Sequence, residues 1–453
     1  MAVRLVRAVL LHPDDDVAAV LEAVSADDVV AVTLGASGKT VSELRARQEV
    51  PFGHKIAVRD IVKDKPVGRY GFPIGMATSD IKQGEHVHSH NMRSMLSPAS
   101  RQQSTRPTVR PARWVHDLVR SSLQAVGTSS DSANAMADAI TEAHLRGVET
   151  HGLRRLRPYI VRIRSGGVDG SSQPRLTVKN ALILVDGRNG IGHHVATRAA
   201  KAVSDAARQF GIAIALVRSS NHFGFAGYYA TLIAASKQLG IVTSNGQVCV
   251  APAGANKPLL SNNPLAIAAP LRSPDRFLEL DLATSITSRA NIVEAAGSGA
   301  LLPPGWAQDA DGNPTRSPGA ALEGSLQAFG GSKGFALLVA LEALTGVLCG
   351  GAFADQVSSK EAAPDAPEGT AHTMIAIDLE AALGADSYSD RLEELVERLL
   401  ALPRNAAADA IRYPGERRWK IRSERLRDGI PLSDDELTDA VRLAKELGIA
   451  TSI

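Results

Sequence analysis

Apolar and polar positions follow two different periods along the chain, and they predict a small β-rich segment followed by a larger α/β segment. In the first hundred residues, short apolar runs are separated by Gly, Asp and Lys, which is typical of strands joined by turns. Strands are predicted over 29–32, 55–58, 66–70 and 74–78. The pattern therefore indicates a compact, mostly β module at the N-terminal end.

The rest of the sequence alternates between helical and strand patterns. Helical spacing of apolar residues predicts helices over 114–126, 132–147, 195–210, 226–239, 335–349 and 390–402. Strands are predicted over 182–186, 212–217, 241–244, 265–269, 277–282 and 374–379. A last helix is expected after Ser433, which forms a capping box with Glu436. The fold class of this part is therefore mixed α/β.

A stretch rich in proline, arginine and serine separates the two segments. Residues 97–113 contain three prolines, four arginines and no acidic residue, which is typical of an extended, solvated linker. The predicted organisation is a β-rich domain over 1–96, a linker over 97–111 and an α/β domain over 112–453.

Composition narrows the function classes. With 50 basic and 48 acidic residues the net charge is +2, so no nucleic acid or anionic membrane partner is expected. Two cysteines in 453 residues make no disulfide framework, which favours a reducing cytoplasm. The N-terminus lacks the pattern of a signal peptide. The longest apolar stretch, 334–353, is interrupted by polar residues and glycines and is interpreted as a buried core helix rather than a membrane span.

Three glycine-rich motifs do not complete the patterns they resemble. The 35–40 segment ends like a phosphate-binding P-loop, but Thr33 stands where its first glycine belongs. The 187–192 segment has its glycines at the wrong spacing for a Rossmann fingerprint. The 330–334 segment has the G-x-S-x-G spacing but no strand pattern leading into Ser332.

Four other blocks bring together the groups that oxidation of a hydroxy acid requires. His151 and Arg155 lie four residues apart, and His222 follows a predicted strand in a polar, glycine-flanked turn. Asp281 ends another predicted strand, and Lys333 opens a helix. A histidine can take or return the hydroxyl proton, an arginine pairs with a carboxylate, and lysine suits the phosphates of a nicotinamide cofactor.

These blocks resemble the malate/L-lactate dehydrogenase family of the non-Rossmann type, which includes ureidoglycolate and sulfolactate dehydrogenases. The shared patterns are H-G-x-x-R, N-H-F-G-x-A-G-Y-Y, N-P-L-A, D-x-A-T-S, K-G and P-G-E, spread over about residues 112–453. The resemblance implies a non-Rossmann α/β fold, NAD or NADP as cofactor, a small carboxylate substrate and a homodimer.

The resemblance also implies roles for individual residues. His222 would be the proton acceptor, with His151 and Arg155 on the substrate side. The residues that would contact the cofactor are Asn245, Asp281, Leu282, Ala283 and Lys333. The same residue types also occur as turn caps and surface lysines, and only their joint occurrence favours the functional interpretation.

The chain departs from the family pattern after D-x-A-T-S. Ala290 and Asn291 stand where the family has glycine and lysine in an A-x-G-K turn. This difference could alter the preference for cofactor or substrate, or weaken activity. Which 2-hydroxy acid is used, its stereochemistry, and the choice between NAD and NADP stay open at this point.

The N-terminal segment resembles the SAF-type domain of altronate and galactarate dehydratases, which also occurs in the small subunit of sulfolactate sulfo-lyase. The resemblance rests on residues 50–61 and 84–91. His86, His88 and His90 alternate along a predicted strand, so they would share one face, with His54 nearby. Three alternatives follow: the histidines could bind an anionic sugar acid, His86 and His88 could be weak candidates for a metal site, or the histidines could bind nothing.

Two functions from different classes follow from these resemblances. The first is a fusion protein whose larger domain is a nicotinamide-dependent 2-hydroxyacid dehydrogenase. The second is a bifunctional or accessory protein, in which the SAF domain serves a dehydratase or lyase large subunit and the dehydrogenase half is degenerate. Ala290 and Asn291 are the residues that favour the second function.

Overall fold

The computed structural model describes residues 4–10, 12–34, 39–69, 72–88, 90–94, 107–273, 275–360, 362–404 and 410–449. The chain divides into two units, an N-terminal unit over 1–106 and a C-terminal unit over 107–453. The expected α/β class of the larger unit and the mostly β character of the smaller unit are both confirmed.

The N-terminal unit is built from two small sheets. Its described strands are β1 (Leu5–Leu10), β2 (Val17–Val20), β3 (Val29–Leu34), β4 (Lys39–Arg45), β5 (Lys55–Ala57), β6 (Pro66–Arg69), β7 (Phe72–Ala77), β8 (His86–Val87) and β9 (Met92–Ser94). Strands β4-β3-β1-β2-β5-β8 form one sheet and β6-β7-β9 the other. Branched aliphatic side chains such as Val6, Val30 and Ile56 are fully buried in the core between the strands.

All four strands predicted in this unit are present, but β1, β2, β4 and β9 were not predicted. The β1 sequence LVRAVL has arginine among its apolar residues, and the fold exposes alternate positions, including Arg7. Of the P-loop-like segment, residues 35–38 lie outside the described residues, as do Tyr70 and Gly71. Lys39 and Thr40 begin β4.

The C-terminal unit is organised around a mixed sheet in the order β11-β12-β13-β20-β14-β15-β16. Its strands are β11 (Arg175–Lys179), β12 (Leu182–Asp186), β13 (Ile212–Ser220), β14 (Gln238–Ser244), β15 (Leu265–Pro270), β16 (Phe277–Leu282) and β20 (Thr370–Asp378). Strands β12 and β13 are parallel, and the other neighbouring pairs are antiparallel. Shorter strands are β10 (Thr108–Arg110), β17 (Ala307–Gln308), β18 (Pro314–Thr315), β19 (Ser325–Leu326) and β21 (Ile430–Leu432).

Helices complete the C-terminal unit. They are α1 (Ala112–Gln124), α2 (Ser130–Leu145), α3 (Leu156–Arg164), α4 (Gly192–Phe210), α5 (Ala226–Ala234), α6 (Arg289–Ser298), α7 (Pro318–Glu323), α8 (Ser332–Glu342), α9 (Leu379–Ala382), α10 (Ala385–Leu400), α11 (Glu416–Asp428) and α12 (Asp434–Glu446). Helices α4 and α5 pack on the sheet because each presents apolar side chains to it, including Val195 and Ile233. The ring of Tyr229 is fully buried in this core, and its hydroxyl donates to the carbonyl of Phe223 at 2.6 Å.

Several predicted boundaries differ from the structure, and two of the differences have a clear physical cause. The helix predicted over 226–239 ends at Ala234, because Lys237 takes a left-handed conformation (φ 59°) and reverses the chain into β14. Residues 108–110, assigned to the linker by the sequence, instead form β10, which pairs with β21. This strand is stabilised by main-chain pairing with a strand that is distant in the sequence, so the local sequence contains no pattern that predicts it.

The apolar segment 334–353 is only partly buried. Leu338 and Leu341 of α8 face the core, whereas Val339, Val347 and Leu348 are 44–57% exposed. The expectation of a wholly buried core helix is therefore wrong for the single chain. No helix in the described residues has the length and apolar character needed to cross a membrane.

Candidate active site

His222 lies in a loop that is held on both sides by buried polar groups. The loop follows β13, and the side chain of Asn221 donates to the carbonyl of Gly190 at 2.9 Å. The backbone N–H of His222 donates to Oε2 of Glu368, also at 2.9 Å. That carboxylate forms a buried ion pair with Arg162. Because both backbone and neighbouring side chains are fixed, the imidazole of His222 has a defined position.

The imidazole of His222 contacts two other aromatic side chains. The hydroxyl oxygen of Tyr159 lies 2.7 Å from Nδ1 of His222. The ring of His151 lies parallel to that of His222, with 5.9 Å between centroids. Since Nδ1 is engaged by a protein group, Nε2 is the ring nitrogen left to exchange a proton with a substrate. Two of the predicted residues, His222 and His151, are thus brought together.

Burial and neighbouring charges control protonation in this cluster. Burial, followed by the positive charges of Lys360 and Arg155, holds the pKa of His222 well below 6.5. Burial and the same two cations lower the pKa of His151 to about 3. Burial raises the pKa of Tyr159. Near neutral pH both histidines are therefore neutral and the tyrosine is protonated.

Arg155 lies beside these histidines, at the end of a segment made of short 3₁₀ turns. Residues 149–155 form two 3₁₀ turns, Glu149–His151 and Leu153–Arg155, joined at Gly152. A Cβ atom at Gly152 would lie 2.4 Å from Nε2 of His144, a nitrogen that accepts the N–H of Leu153. The glycine thus allows the chain to pass over His144. Arg155 Nε donates to the carbonyl of Thr150 at 3.0 Å.

Lys360 is a half-buried residue of this site that the sequence motifs did not indicate. Its charge lowers the pKa of both His151 and His222, so its ammonium group lies within electrostatic range of the two rings. Nearly 140 residues separate Lys360 from His222 in the sequence, and no glycine or histidine pattern accompanies the lysine. Only the folding of the chain brings it to the histidines.

Asp281 lies at the end of β16 and against the first turn of α5. The backbone N–H of Gly227 donates to its carboxylate, and Arg418 Nη1 lies 3.0 Å from Asp281 Oδ2. The same Nη1 lies 2.8 Å from Glu279 Oε1. A Cβ atom at Gly227 would lie 2.5 Å from that Glu279 oxygen. Gly227, the second glycine of the N-H-F-G-x-A-G motif, is therefore needed because two buried carboxylates lie too close to allow a side chain.

A cavity of about 500 Å³ is lined by Asp281 and by the residues that directly precede His151. Thr150 lines it, and the hydroxyl of Thr150 lies 3.1 Å from Nδ1 of His151. Asp281 and Glu279 line it from β16. The cations that line it are Arg146, Arg412, Arg417 and Arg418. We call this space the arginine-lined cavity. Of its residues the sequence predicted Asp281, while the late P-G-E motif pointed to the Gly415 segment without assigning it a role.

The remaining predicted cofactor residues lie on the continuation of the same strand and on neighbouring turns. Leu282 and Ala283 are half-buried and directly follow Asp281. The backbone of Thr284 accepts the N–H of Phe329, which connects this segment to the turn that precedes Lys333. Lys333 is exposed in the first turn of α8. Asn245 is buried, and its side chain donates to Ala352 and accepts from Ala371, both at 2.8 Å.

The departure at Ala290 and Asn291 is accommodated by a helix. These residues lie in the first turn of α6, where the hydroxyl of Ser288 accepts the N–H of Asn291 at 3.1 Å. The side chain of Asn291 also donates to the hydroxyl of Thr287. Because alanine is the best helix former and Ser288 caps the helix, the two residues suit this local structure.

The histidines of the N-terminal unit approach one another, but not through the expected alternation along a strand. Strand β8 ends at Val87, because Asn91 accepts the N–H of His88 and donates to the carbonyl of His86, which forms a turn. His86 is hydrogen bonded to His54, with 2.9 Å between the nitrogens. Among the described residues, no group of three or more His, Cys, Asp or Glu is arranged to hold a metal ion.

Comparison with known proteins decides the family. Residues 111–440 match the family model described as malate/L-lactate dehydrogenase. The chain belongs to the malate/L-lactate dehydrogenase family. Residues 6–95 match the model of the altronate/galactarate dehydratase SAF domain. Both resemblances inferred from the sequence motifs are thus confirmed.

Individual members of the malate/L-lactate dehydrogenase family are similar over most of the C-terminal unit. L-sulfolactate dehydrogenase of Methanothermobacter thermautotrophicus is 34% identical over 339 residues, which cover 74% of this chain and 96% of that protein. (2R)-3-sulfolactate dehydrogenase (NADP(+)) of Chromohalobacter salexigens is 34% identical over 69% of this chain and 91% of its own. The structure of malate dehydrogenase from Entamoeba histolytica superposes with a TM-score of 0.72, at 25% identity, over 77% of this chain and 100% of that one.

The arginine-lined cavity fits the nicotinamide cofactor of this family. Its arginines match the negative charge of a dinucleotide's phosphates. Glu279 also lines the cavity; its buried Oε2 lies 3.6 Å from Nη1 of Arg146 and accepts no hydrogen bond within the described residues. The chain thus has residues appropriate for NAD or NADP without a Rossmann fingerprint.

Proposed function

We propose that this chain is an oxidoreductase that transfers a hydride between NAD or NADP and a small 2-hydroxy or 2-oxo acid of the malate, lactate, sulfolactate or sugar-acid type. The observation that carries the proposal is the position of His222. Its ring is held by Tyr159 and lies parallel to that of His151, whose Nδ1 lies 3.1 Å from the hydroxyl of Thr150 in the wall of the arginine-lined cavity. The names of the relatives in sulfolactate and malate metabolism support the same substrate class.

His222 is the proposed proton acceptor. In the direction of oxidation, Nε2 of the neutral imidazole takes the hydroxyl proton of the substrate, while Tyr159 holds Nδ1. In the direction of reduction, the imidazolium returns that proton to the carbonyl oxygen. The cations Arg155 and Lys360 depress the pKa of His222 in the free protein. A substrate carboxylate placed between them and the histidine would offset their charge and raise this pKa, so that proton transfer is favoured once substrate is bound.

Arg155 and Lys360 are the proposed carboxylate-binding residues, with His151 beside them. Both cations lie within electrostatic range of His151 and His222. A 2-hydroxy acid has its carboxylate one bond from the reacting carbon. The carboxylate must therefore bind close to the catalytic histidine, and these cations meet that requirement.

The cofactor residues carried over from the family are Asp281, Leu282, Ala283, Lys333 and Asn245. When bound, the nicotinamide ring accepts or supplies the hydride. Asp281 and its neighbours line the arginine-lined cavity or continue from it along β16. Asn245, whose amide is already bonded to two backbone groups, acts by holding the wall of the site between β14 and β20.

We further propose a homodimer. Val339 lies in α8, Val347 ends the π-helical turn Ala343–Val347, and Leu348 directly follows that turn; all three side chains are exposed and apolar in the single chain. Contiguous exposed apolar side chains are typical of a surface that a second copy covers. The two free cysteines, Cys249 and Cys349, support a reducing, cytoplasmic location.

A screen of turnover tests the proposed reaction. The purified full chain is incubated with NADH or NADPH and a panel of 2-oxo acids that includes oxaloacetate, pyruvate and 3-sulfopyruvate, and the absorbance of the reduced cofactor is followed. At least one acid should be reduced. His222→Ala should lower kcat at least about 100-fold, as expected for loss of a general acid–base. The matched control is His116→Ala, whose ring instead pairs with Asp138.

The accessory function predicts a different result. If the dehydrogenase half is degenerate, neither NADH nor NADPH should bind in a calorimetric titration, and no acid should be reduced. Binding of a nicotinamide cofactor without any turnover would reject the proposed reaction for this acid panel while leaving the arginine-lined cavity as a nucleotide site.

A further inference from the structure

Four histidines gather in the N-terminal unit, far in sequence from the dehydrogenase residues. His54 Nδ1 and His86 Nε2 are 2.9 Å apart. The ring of His88 stacks on that of His54, with 4.9 Å between centroids, and the ring of His90 lies 5.3 Å from that of His86. We call His54, His86, His88 and His90 the four-histidine cluster.

The fold of the unit builds this cluster from two distant segments. Strand β5 pairs with β8, so that Ile56 lies opposite His86 and the preceding His54 reaches its ring. The buried side chain of Asn91 then closes a turn over residues 86–91 by bonding to the backbone of His86 and His88. This turn brings His88 and His90 back towards His86. The approach of the rings is therefore fixed by backbone pairing and by a buried asparagine.

The charged groups that face the cluster are basic. The pKa of His86 is lowered to about 4, first by burial and then by His54, His90, His88 and Lys55. Lys55, at the start of β5, is half-buried, and its own pKa is lowered by burial and by Arg69. Every neighbour that shifts the pKa of His86 or Lys55 is a basic group, so it disfavours a positive charge on these two side chains. An anion placed among them would reverse that repulsion and supply an acceptor for imidazole and ammonium N–H groups.

We propose that the four-histidine cluster, together with Lys55, is a binding site for a small organic acid in its carboxylate form. The site is formed within the N-terminal unit, so it does not depend on the proposed dehydrogenase reaction. A metal ion is a poorer occupant, since no three of the described His, Cys, Asp or Glu residues are placed to hold one.

Binding at this site should be coupled to proton uptake. A carboxylate stabilises imidazolium, so it raises the pKa of the histidines that it contacts. The complex then holds more protons than the free protein, and affinity increases as the pH falls from 8 towards 6. Isothermal titration in buffers of different ionisation enthalpy measures this uptake directly, and a value clearly above zero is expected.

The experiment uses the full chain and calorimetric titration with malate, lactate, 3-sulfolactate and galactarate, without nicotinamide. The double variant His54→Ala/His86→Ala should lose one binding event, or weaken it at least about tenfold, while turnover with the best 2-oxo acid stays unchanged. Lys55→Met, which removes the ammonium group and keeps most of the length of the side chain, should weaken the same event several-fold without disturbing the rings. The matched control is His12→Ala, an exposed histidine of the same unit, which should have no effect.

Several outcomes would overturn the site. The proposal would be rejected if the native chain and the double variant gave identical titrations. It would also be rejected if the native chain bound inorganic phosphate or Zn²⁺ but none of the carboxylic acids. Loss of binding by Lys55→Met with no proton uptake would also contradict the assignment to imidazoles. A failure of turnover, with the binding event retained, would instead contradict only the proposed dehydrogenase function.

Discussion

The hydroxyl oxygen of Tyr159 lies 2.7 Å from Nδ1 of His222, and this contact joins helix α3 to the loop after β13. The two residues are 63 positions apart in the sequence. Tyr159 stays protonated near neutral pH because burial raises its pKa. Its hydroxyl oxygen can therefore accept a hydrogen bond from Nδ1–H both in the neutral tautomer whose Nε2 takes a proton and in the imidazolium.

Tyr159→Phe tests Tyr159 as a positioning residue. Without the hydroxyl, the imidazole of His222 loses the partner that fixes its orientation, and kcat should fall about 10–100-fold, a typical cost of removing a residue that orients an active group. The Kd of the nicotinamide cofactor should not change. The control is Tyr388→Phe, on α10. A normal kcat for Tyr159→Phe would refute the role.

Gly227→Ala should damage the cofactor end of the site. The new methyl group would meet Glu279 Oε1 and Asp281 Oδ2 at 2.5 and 2.9 Å, and Arg418 holds both carboxylates in place. The free energy of unfolding should fall by about 1–3 kcal/mol, and cofactor affinity should weaken. Gly297→Ala is the matched control, because its Cβ meets nothing within 4 Å in α6 and alanine favours the helix. Equal effects of the two substitutions would argue against the contact.

Glu368→Gln should affect both stability and catalysis. The carboxylate pairs with the buried Arg162 and accepts the backbone N–H of His222. Removing its charge leaves Arg162 buried without its counterion, which should cost about 3–5 kcal/mol, and kcat should fall because the His222 loop loosens. Asp390→Asn, at an exposed ion pair with Arg272, should cost less than about 1 kcal/mol. Urea denaturation and initial rates measure the two effects, and comparable losses from both variants would contradict the prediction.

Acid should destabilise the C-terminal unit through its buried histidines. Burial lowers the pKa of His151, His193 and His372 to about 3, whereas each titrates near 6.5 when unfolded. Between these values the unfolded chain binds more protons, so stability decreases as pH falls from about 6.5 towards 3. Each histidine contributes up to about 1.4 kcal/mol per pH unit.

His372 allows this pH dependence to be tested. Its two ring nitrogens are bonded to the hydroxyls of Ser244 and Ser220, both at 2.8 Å. His372→Gln removes one titrating group, so urea denaturation between pH 7 and pH 5 should show a smaller pH slope of stability. Tyr388→Phe, on α10, removes no group that titrates between pH 5 and pH 7, because burial raises the pKa of that tyrosine above 10, and it should leave the slope unchanged. An unaltered slope in His372→Gln would show that this ring is not among the groups that titrate on unfolding.

Local patterns determined much of the fold. The strands over 182–186 and 277–282 were predicted to the residue, because each is a short apolar run between turn signals. Helix α11 was not predicted, since its sequence ERRWKIRSERLRD is almost entirely polar and its burial depends on Trp419 alone. Strand β10 was likewise missed, because it exists only through its pairing with β21. Elements whose stability comes from distant partners leave little trace in the local sequence.

The sequence by itself determined the two families and most of the candidate residues: His151, Arg155, His222, Asp281 and Lys333 all lie in short motifs where glycine spacing and polar residues stand out. Only the tertiary structure decided which groups surround them. Tyr159, Lys360, Glu368 and Arg418 join the site because helix α3, the segment before β20 and helix α11 fold onto it. These contacts form because segments that are far apart in the sequence pack against each other in the folded core. A local sequence pattern does not specify which remote residues will be neighbours.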